Sequence, residues 1–267
     1  MSEAFKSLVD VHCHILPGID DGPKGLEESL DIGKLYVKAG FRTVVATPHC
    51  IPGTSWMPEV QVVREKTRQV AGGLRDAGVL LHIHCGMEIA LDPLVPQLLA
   101  EGRVLTLGDG PYVMIECPFQ RLPLGWEAIL GDITRMGYRV LLAHPERCAD
   151  LSAKSDLVRE IAASGVGVQV NWDSLAGMNG RQVLDVARAF LEEQHIHCIA
   201  TDTHDKVRRS PSMVRQGWDA VKALVGEDNL RRLMIDNPRR VLMGGKLEPM
   251  EDLPQAKTAK RKWFWFS

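Results

Sequence analysis

Leu8-Val9-Asp10-Val11-His12-Cys13-His14 begins as an apolar, β-branched run and ends in a His-x-His pair; Asp20-Asp21-Gly22 follows closely. In an extended strand, side chains alternate with period two, so His12 and His14 share one side. Two imidazoles converging beside carboxylates make a donor set for a transition-metal ion. The stretch therefore predicts a strand that delivers ligands at its C-terminal end.

The same design recurs along the chain. Short apolar runs at Leu8–Val11, Thr43–Ala46, Leu80–Cys85, Val113–Ile115, Arg139–Ala143, Gly167–Val170 and Cys198–Ala200 read as strands. Amphipathic segments separate them. Their apolar stripes are Leu26, Leu30 and Val37; Val183, Ala187 and Phe190; and Val214, Trp218, Val221 and Val225. Stripes at this spacing are core faces of helices. Strands alternating with helices predict an α/β fold with a mostly parallel sheet, open or closed. Composition changes only after Gly244-Gly245, so residues 1–245 read as one catalytic domain and 246–267 as a tail.

The strand ends carry the chemistry. His12 and His14 end the first, Thr47-Pro48-His49 the second, and Gly86-Met87-Glu88 follows the third. Glu116 ends the fourth, His144-Pro145-Glu146-Arg147 the fifth and Asp202-Thr203-His204 the last. In an α/β barrel these ends face one mouth. His12, His14, His49, Glu88, Glu116, His144, Asp202 and His204 would converge there, with Asp21 on the first loop as a ninth ligand. Zinc takes about four ligands and an octahedral ion about six, so nine imply two or three ions. Mixed imidazole and carboxylate donors suit Mn²⁺, Fe²⁺ or Zn²⁺. Such clusters support phosphoryl transfer. Arg147 and Arg209 lie close to these ligands in sequence, and a guanidinium binds phosphate oxygens bidentately. His82, His84, His195 and His197 precede strand ends and read as ordinary structural histidines.

Composition narrows the function classes. With 267 residues, 45% hydrophobic and 25% charged, the chain has ample material for a core. The net charge of −2 supplies no basic field for nucleic acid. No run approaches the ~18 apolar residues of a membrane span, and Met1–Leu8 lacks a basic region followed by an apolar run, so no cleaved secretory signal is expected. The cysteines at 13, 50, 85, 117, 148 and 198 are widely spaced and form no Cys-x-x-Cys pair, as expected of reduced cytoplasmic thiols.

The run from Asp10 to Pro23 resembles the start of the bacterial capsule- and exopolysaccharide-associated protein-tyrosine phosphatases, within the polymerase and histidinol phosphatase superfamily. Ala46-Thr47-Pro48-His49, Gly86-Met87-Glu88-Ile89, Ile115-Glu116, Ala143-His144-Pro145-Glu146-Arg147 and Thr201-Asp202-Thr203-His204 resemble that family's later motifs, in order. The resemblance implies a distorted seven-stranded βα (TIM-like) barrel with three metal ions, commonly manganese. Carried over by position, His12, His14, Glu88 and Asp202 hold one ion. Glu88 bridges to a second completed by Glu116 and His144, while Asp21, His49 and His204 hold the third. Arg147 and Arg209 match phosphate-binding positions. The family uses Ser more often than Thr201 before the Asp.

The implied activity is hydrolysis of phosphotyrosine on a protein, namely an autophosphorylating, membrane-associated tyrosine kinase of polysaccharide export. The expected location is cytoplasmic, and the family allows monomers and larger rings. No cysteine here has an arginine six positions later, so no cysteinyl-phosphate chemistry is expected. Small-molecule phosphatases such as histidinol phosphatase, and a metal-stabilised scaffold without turnover, are the competing readings. The ending Lys260-Arg261-Lys262-Trp263-Phe264-Trp265-Phe266 places cations beside interfacial aromatics. It reads as a peripheral contact with the inner membrane, or else as a tail that packs on protein.

Overall fold

A computed structural model describes Phe5 and residues 7–253, so the basic-aromatic ending at Lys260–Phe266 lies outside the described residues. Nine strands run through it: β1 (Leu8–Cys13), β2 (Phe41–Ala46), β3 (His49–Cys50), β4 (His82–Cys85), β5 (Glu88–Ala90), β6 (Tyr112–Glu116), β7 (Arg139–Ala143), β8 (Gly167–Asn171) and β9 (Cys198–Ala200). All pairings are parallel, in a three-stranded sheet β1-β2-β4 and a six-stranded sheet β3-β5-β6-β7-β8-β9. Helices connect most of them, the longest being Leu26–Ala39, Val60–Asp76 and Arg181–Glu192. The predicted alternation of strand and helix is therefore present.

Two short strands go beyond the seven that the sequence predicts. β3 follows β2 after Thr47-Pro48, and β5 follows β4 after Gly86-Met87. Pro48 has no N–H to donate to a ladder. Gly86 sits where a side chain would meet Leu107 at 2.9 Å and Val45 at 3.0 Å. Pieces of two and three residues carry no period that a sequence can display. Leu80 was expected inside the third strand; it is 77% exposed, and β4 starts at His82.

Strands buried on both faces read as nearly continuous apolar runs. Alternate residues accordingly feed two cores. Val44, Val113, Ile115, Val140, Leu142, Val168, Val170 and Ile199 pack towards the helices. Val11, Val45, Met114, Leu141, Ala143, Cys198 and Ala200 form a second, smaller core with Leu107, Tyr112 and Val241.

A buried polar knot ties β1 to the segment after β9. Asp10 accepts hydrogen bonds from Tyr36 Oη (2.8 Å), Thr201 Oγ1 (2.5 Å) and the Thr201 N–H (3.1 Å). Past the knot, Asp202 N–H donates to His12 O at 3.0 Å and His14 N–H to Thr203 O at 2.8 Å. The first and last strand ends are thus fixed against each other. Beyond the last helix, residues 245–253 lie on the body: Tyr112 donates to Gly245 O, and Asn237 and Asn229 clasp the backbone at Glu248 and Glu251. Among the described residues no helix is long and apolar enough to cross a membrane.

Candidate metal centre

The nine sequence-predicted ligands all meet, most of them at or just past C-terminal strand ends, His49 and Glu88 as the first residues of β3 and β5, and Asp21 on the loop after β1. Four overlapping sets have donor atoms within 4.8 Å of one another: His14, Asp21, His49 and His204; His12, His144 and Asp202; His12, His14 and Glu88; His49, Glu88 and Glu116. His12, His14 and Glu88 are wholly buried, whereas the Asp21 side chain is 44% exposed. Glu88 stands at the centre. Its Oε1 lies 2.8 Å from His144 Nε2 and 3.2 Å from His12 Nε2; its Oε2 lies 2.9 Å from His49 Nδ1 and 3.3 Å from His14 Nε2. Asp21 Oδ1 lies 3.2 Å from His204 Nε2 and 3.5 Å from His49 Nε2.

Asp202 divides its two oxygens. Oδ1 faces His12 and His14 at 3.4 and 3.3 Å. Oδ2 receives Asn171 Nδ2 at 2.7 Å, Arg147 Nη1 at 3.1 Å and Arg209 Nη2. Both predicted arginines thus reach the edge of the cluster and stay part-exposed. Arg209 is brought there by a tight loop: the Asp205 carboxylate accepts the N–H groups of Val207, Arg208 and Arg209. Burial opposes ionisation of Asp202, but His12, Arg209 and His14 outweigh it and hold the carboxyl well below the usual range. Burial pulls the His144 imidazole down, yet Glu88 and Asp202 raise it to about 9. Burial and the Glu88 charge push Glu116 up.

Several residues of this site were not assigned from sequence. Asp20 Oδ2 accepts His14 Nδ1 at 2.8 Å and the His49 N–H at 3.1 Å, while Oδ1 accepts the Gly22 N–H at 3.0 Å. Gln169 Oε1 takes His12 Nδ1 at 2.9 Å, and Gln169 Nε2 donates to Asn171. The available signal is polarity: Gln169 interrupts the predicted strand Gly167–Val170, Asn171 follows its end, and Asp20 adjoins Asp21. Gly22 lies so close to the His14 carbonyl that a side chain would meet it at 2.4 Å, which dictates glycine in that loop. Trp56 stacks on His49 with centroids 5.1 Å apart. Phe119 faces His144, and its ring carries the Arg147 guanidinium at 4.7 Å. Glu146 turns aside and accepts the Asn171 N–H. His82, His84, His195 and His197 join no metal-competent set among the described residues.

These residues fit metal ions. Acceptors on Nδ1 of both His12 and His14 put the ring protons there, which leaves two Nε2 lone pairs facing each other at 3.3 Å. His49 Nδ1, Glu88 Oε2 and His204 Nε2 are buried with no hydrogen-bond partner among the described residues, although imidazole or carboxylate neighbours stand within 2.9–3.2 Å. Lone pairs converging on a common point call for a cation. Backbone strain falls here too: His144 (φ 30°) and Asp202 (φ 50°) are left-handed without being glycine.

The sequence matches the family described as capsular polysaccharide synthesis, CpsB/CapC, over residues 8–243. The chain belongs to this family. The Tyrosine-protein phosphatase YwqE of Bacillus subtilis is 34% identical over 203 residues, 76% of this chain and 80% of that protein. A chain from the crystal structures of YwqE from B. subtilis and CpsB from Streptococcus pneumoniae, described as unique metal-dependent tyrosine phosphatases, superimposes with a TM-score of 0.85 and 30% identity. It covers 92% of this chain, and this chain covers 98% of it. A phosphotriesterase homology protein of Escherichia coli shares the fold alone, at 11% identity and a TM-score of 0.57 over 90% of this chain and 99% of that one.

Proposed function

We propose that this CpsB/CapC family member is a metal-dependent protein-tyrosine phosphatase, a phosphoric monoester hydrolase acting in capsule or exopolysaccharide synthesis. The observation that carries the reading is the convergence of nine imidazole and carboxylate ligands beside two arginines that share Asp202 Oδ2. His12, His14, Glu88 and Asp202 would hold one divalent ion, Glu88, Glu116 and His144 a second, and Asp21, His49 and His204 a third. Manganese is the favoured metal, with iron or zinc compatible with the donors. When bound, such ions lower the pKa of water and neutralise charge on a transferring phosphoryl group.

The protein's own groups supply the rest. Arg147 and Arg209 bind the phosphate oxygens, and their partial exposure leaves donors free to turn from Asp202 to a ligand. Asp20 and Gln169 keep Nδ1 of His14 and His12 protonated, so that Nε2 of each ring faces the centre. The β1-to-β9 knot and the core shared by β1, β2, β6, β7 and β9 support reading the two sheets as one distorted seven-stranded barrel, with β2/β3 and β4/β5 as interrupted strands. Residues 1–245 would form its catalytic body, with 246–253 packed on it at the start of the tail. The substrate would be an autophosphorylating tyrosine kinase at the inner face of the membrane, met in the cytoplasm, with Lys260–Phe266 touching the bilayer.

Turnover of a tyrosine phosphopeptide and of histidinol phosphate, with metal analysis, tests the reading on wild type and Glu88→Gln. Preference for the phosphopeptide is expected in the wild type. The variant should lose both metal and rate, because Glu88 contacts four of the imidazoles. A metal-loaded wild type that turns over histidinol phosphate but no phosphopeptide would refute it.

A further inference from the structure

Two large aromatic side chains stand half in solvent at the site, where burial does not account for them. Trp56 is 36% exposed and Phe119 is 52% exposed. Each lies against a histidine of the cluster: Trp56 stacks on His49, and the Phe119 ring lies 6.3 Å from His144. Those two histidines approach opposite oxygens of one carboxylate, Glu88 Oε2 and Oε1. The rings therefore border two histidines that approach different oxygens of the same central carboxylate.

Both residues sit on tied backbone. The Ile51 N–H donates to Trp56 O at 2.7 Å, and Trp56 N–H donates to Thr54 Oγ1 at 3.1 Å. Phe119 O accepts the Ala149 N–H at 2.8 Å, which ties its loop to the turn that carries Arg147. The Arg147 guanidinium then packs over the Phe119 face. A phosphate gripped by Arg147 would lie beside the Phe119 ring that carries the guanidinium.

Resting on the phosphatase reading, we infer that Trp56 and Phe119 are the specificity walls of the site, selecting esters whose leaving group is an aromatic ring over alkyl phosphates. Aryl groups prefer offset or edge contacts with aromatic side chains, and an alkyl leaving group forgoes them. A serine or threonine phosphate also holds its own backbone nearer the phosphorus, so it meets the rim without placing a ring between the walls. Phe119 has a second part, as a positioning residue for Arg147.

The test compares metal-loaded full-length wild type with Trp56→Leu and Phe119→Leu on phenyl phosphate and ethyl phosphate. Inhibition by phenylphosphonate and methylphosphonate is measured in parallel, with metal content and thermal midpoint as controls. The ratio of kcat/KM for the aryl over the alkyl ester should fall about 2–10-fold in each variant, mainly through KM. The phenylphosphonate inhibition constant should weaken by the same factor, and Trp56→Phe and Phe119→Tyr should restore most of it. Equal losses on both esters, or an unchanged ratio, would overturn the inference and leave the phosphatase reading standing. A metal-loaded wild type that turns over ethyl but not phenyl phosphate would overturn both.

Discussion

Replacing Asp20 by Asn separates a residue that aims ligands from one that is a ligand. Asp20 offers two oxygens to three donors: Oδ2 takes His14 Nδ1–H and the His49 N–H, and Oδ1 takes the Gly22 N–H. Asparagine keeps the shape but has one oxygen and one NH₂. Whichever way the amide lies, its NH₂ meets a donor. Either His14 loses the acceptor that fixes its tautomer, or the loop carrying Asp21 loses its clasp at Gly22. The side chain is only 1% exposed, so water cannot make good the loss. A hydrogen bond to a charged group contributes about 1.5–3 kcal/mol. At about 1.4 kcal/mol per decade, that is roughly 10–100-fold in metal affinity, the usual effect of removing a carboxylate behind a histidine ligand. The assay is metal affinity by chelator competition, with phosphopeptide kcat/KM followed as metal is raised. Asp20→Asn should approach the wild-type rate at saturating metal, whereas Asp21→Asn, which removes a donor facing His204 and His49, should not. Wild-type affinity in Asp20→Asn, or a rate that saturating metal fails to raise, refutes the assignment.

Two further outcomes follow from groups outside the ligand set. Cys13 lies between His12 and His14, yet its thiol donates to Val45 O at 3.3 Å, and burial together with Asp10 pushes it well above the usual range. Cys13→Ser should keep the phosphatase rate, and a collapse with intact metal content would refute direct hydrolysis. His197 accepts the Val168 N–H on Nδ1 at 3.1 Å, and burial lowers it from 6.5 to about 4. The unfolded chain then binds the proton first, so stability present above pH 6.5 is lost as pH falls towards 4, by at most about 3 kcal/mol. Urea unfolding from pH 4 to 7 should show a shallower pH dependence in His197→Gln than in wild type; identical slopes would contradict the buried neutral imidazole.

Most of the site could be read in the sequence because its ligands sit at the ends of strong apolar runs. His12, Glu116 and His144 each end or directly follow a short apolar run of the kind that marks a buried strand. His49 and Glu88 fall instead on two- and three-residue strands, and only their place after Pro48 and Gly86 marked them. The supporting shell stayed hidden for a different reason. Gln169 is a metal-site residue only because β8 lies beside β9, whose end meets β1, which brings its amide to His12 across 157 positions of chain. No local pattern encodes such a pairing.

The same distance in chain explains where the strain sits. His144 and Asp202 take left-handed backbone immediately after β7 and β9, at a cost of order 1–3 kcal/mol each. Such conformations persist only where surrounding contacts over-determine them. For Asp202 those contacts are visible: its N–H on His12 O, three donors on Oδ2, and behind it Thr201 fixed to Asp10 and Tyr36. The knot that joins the first and last strand ends is therefore also what holds Asp202 in a backbone it would not otherwise adopt, with one oxygen towards the histidines and one towards the arginines. Cutting the knot would loosen the centre without removing any ligand, so fold closure and site geometry here rest on one set of hydrogen bonds.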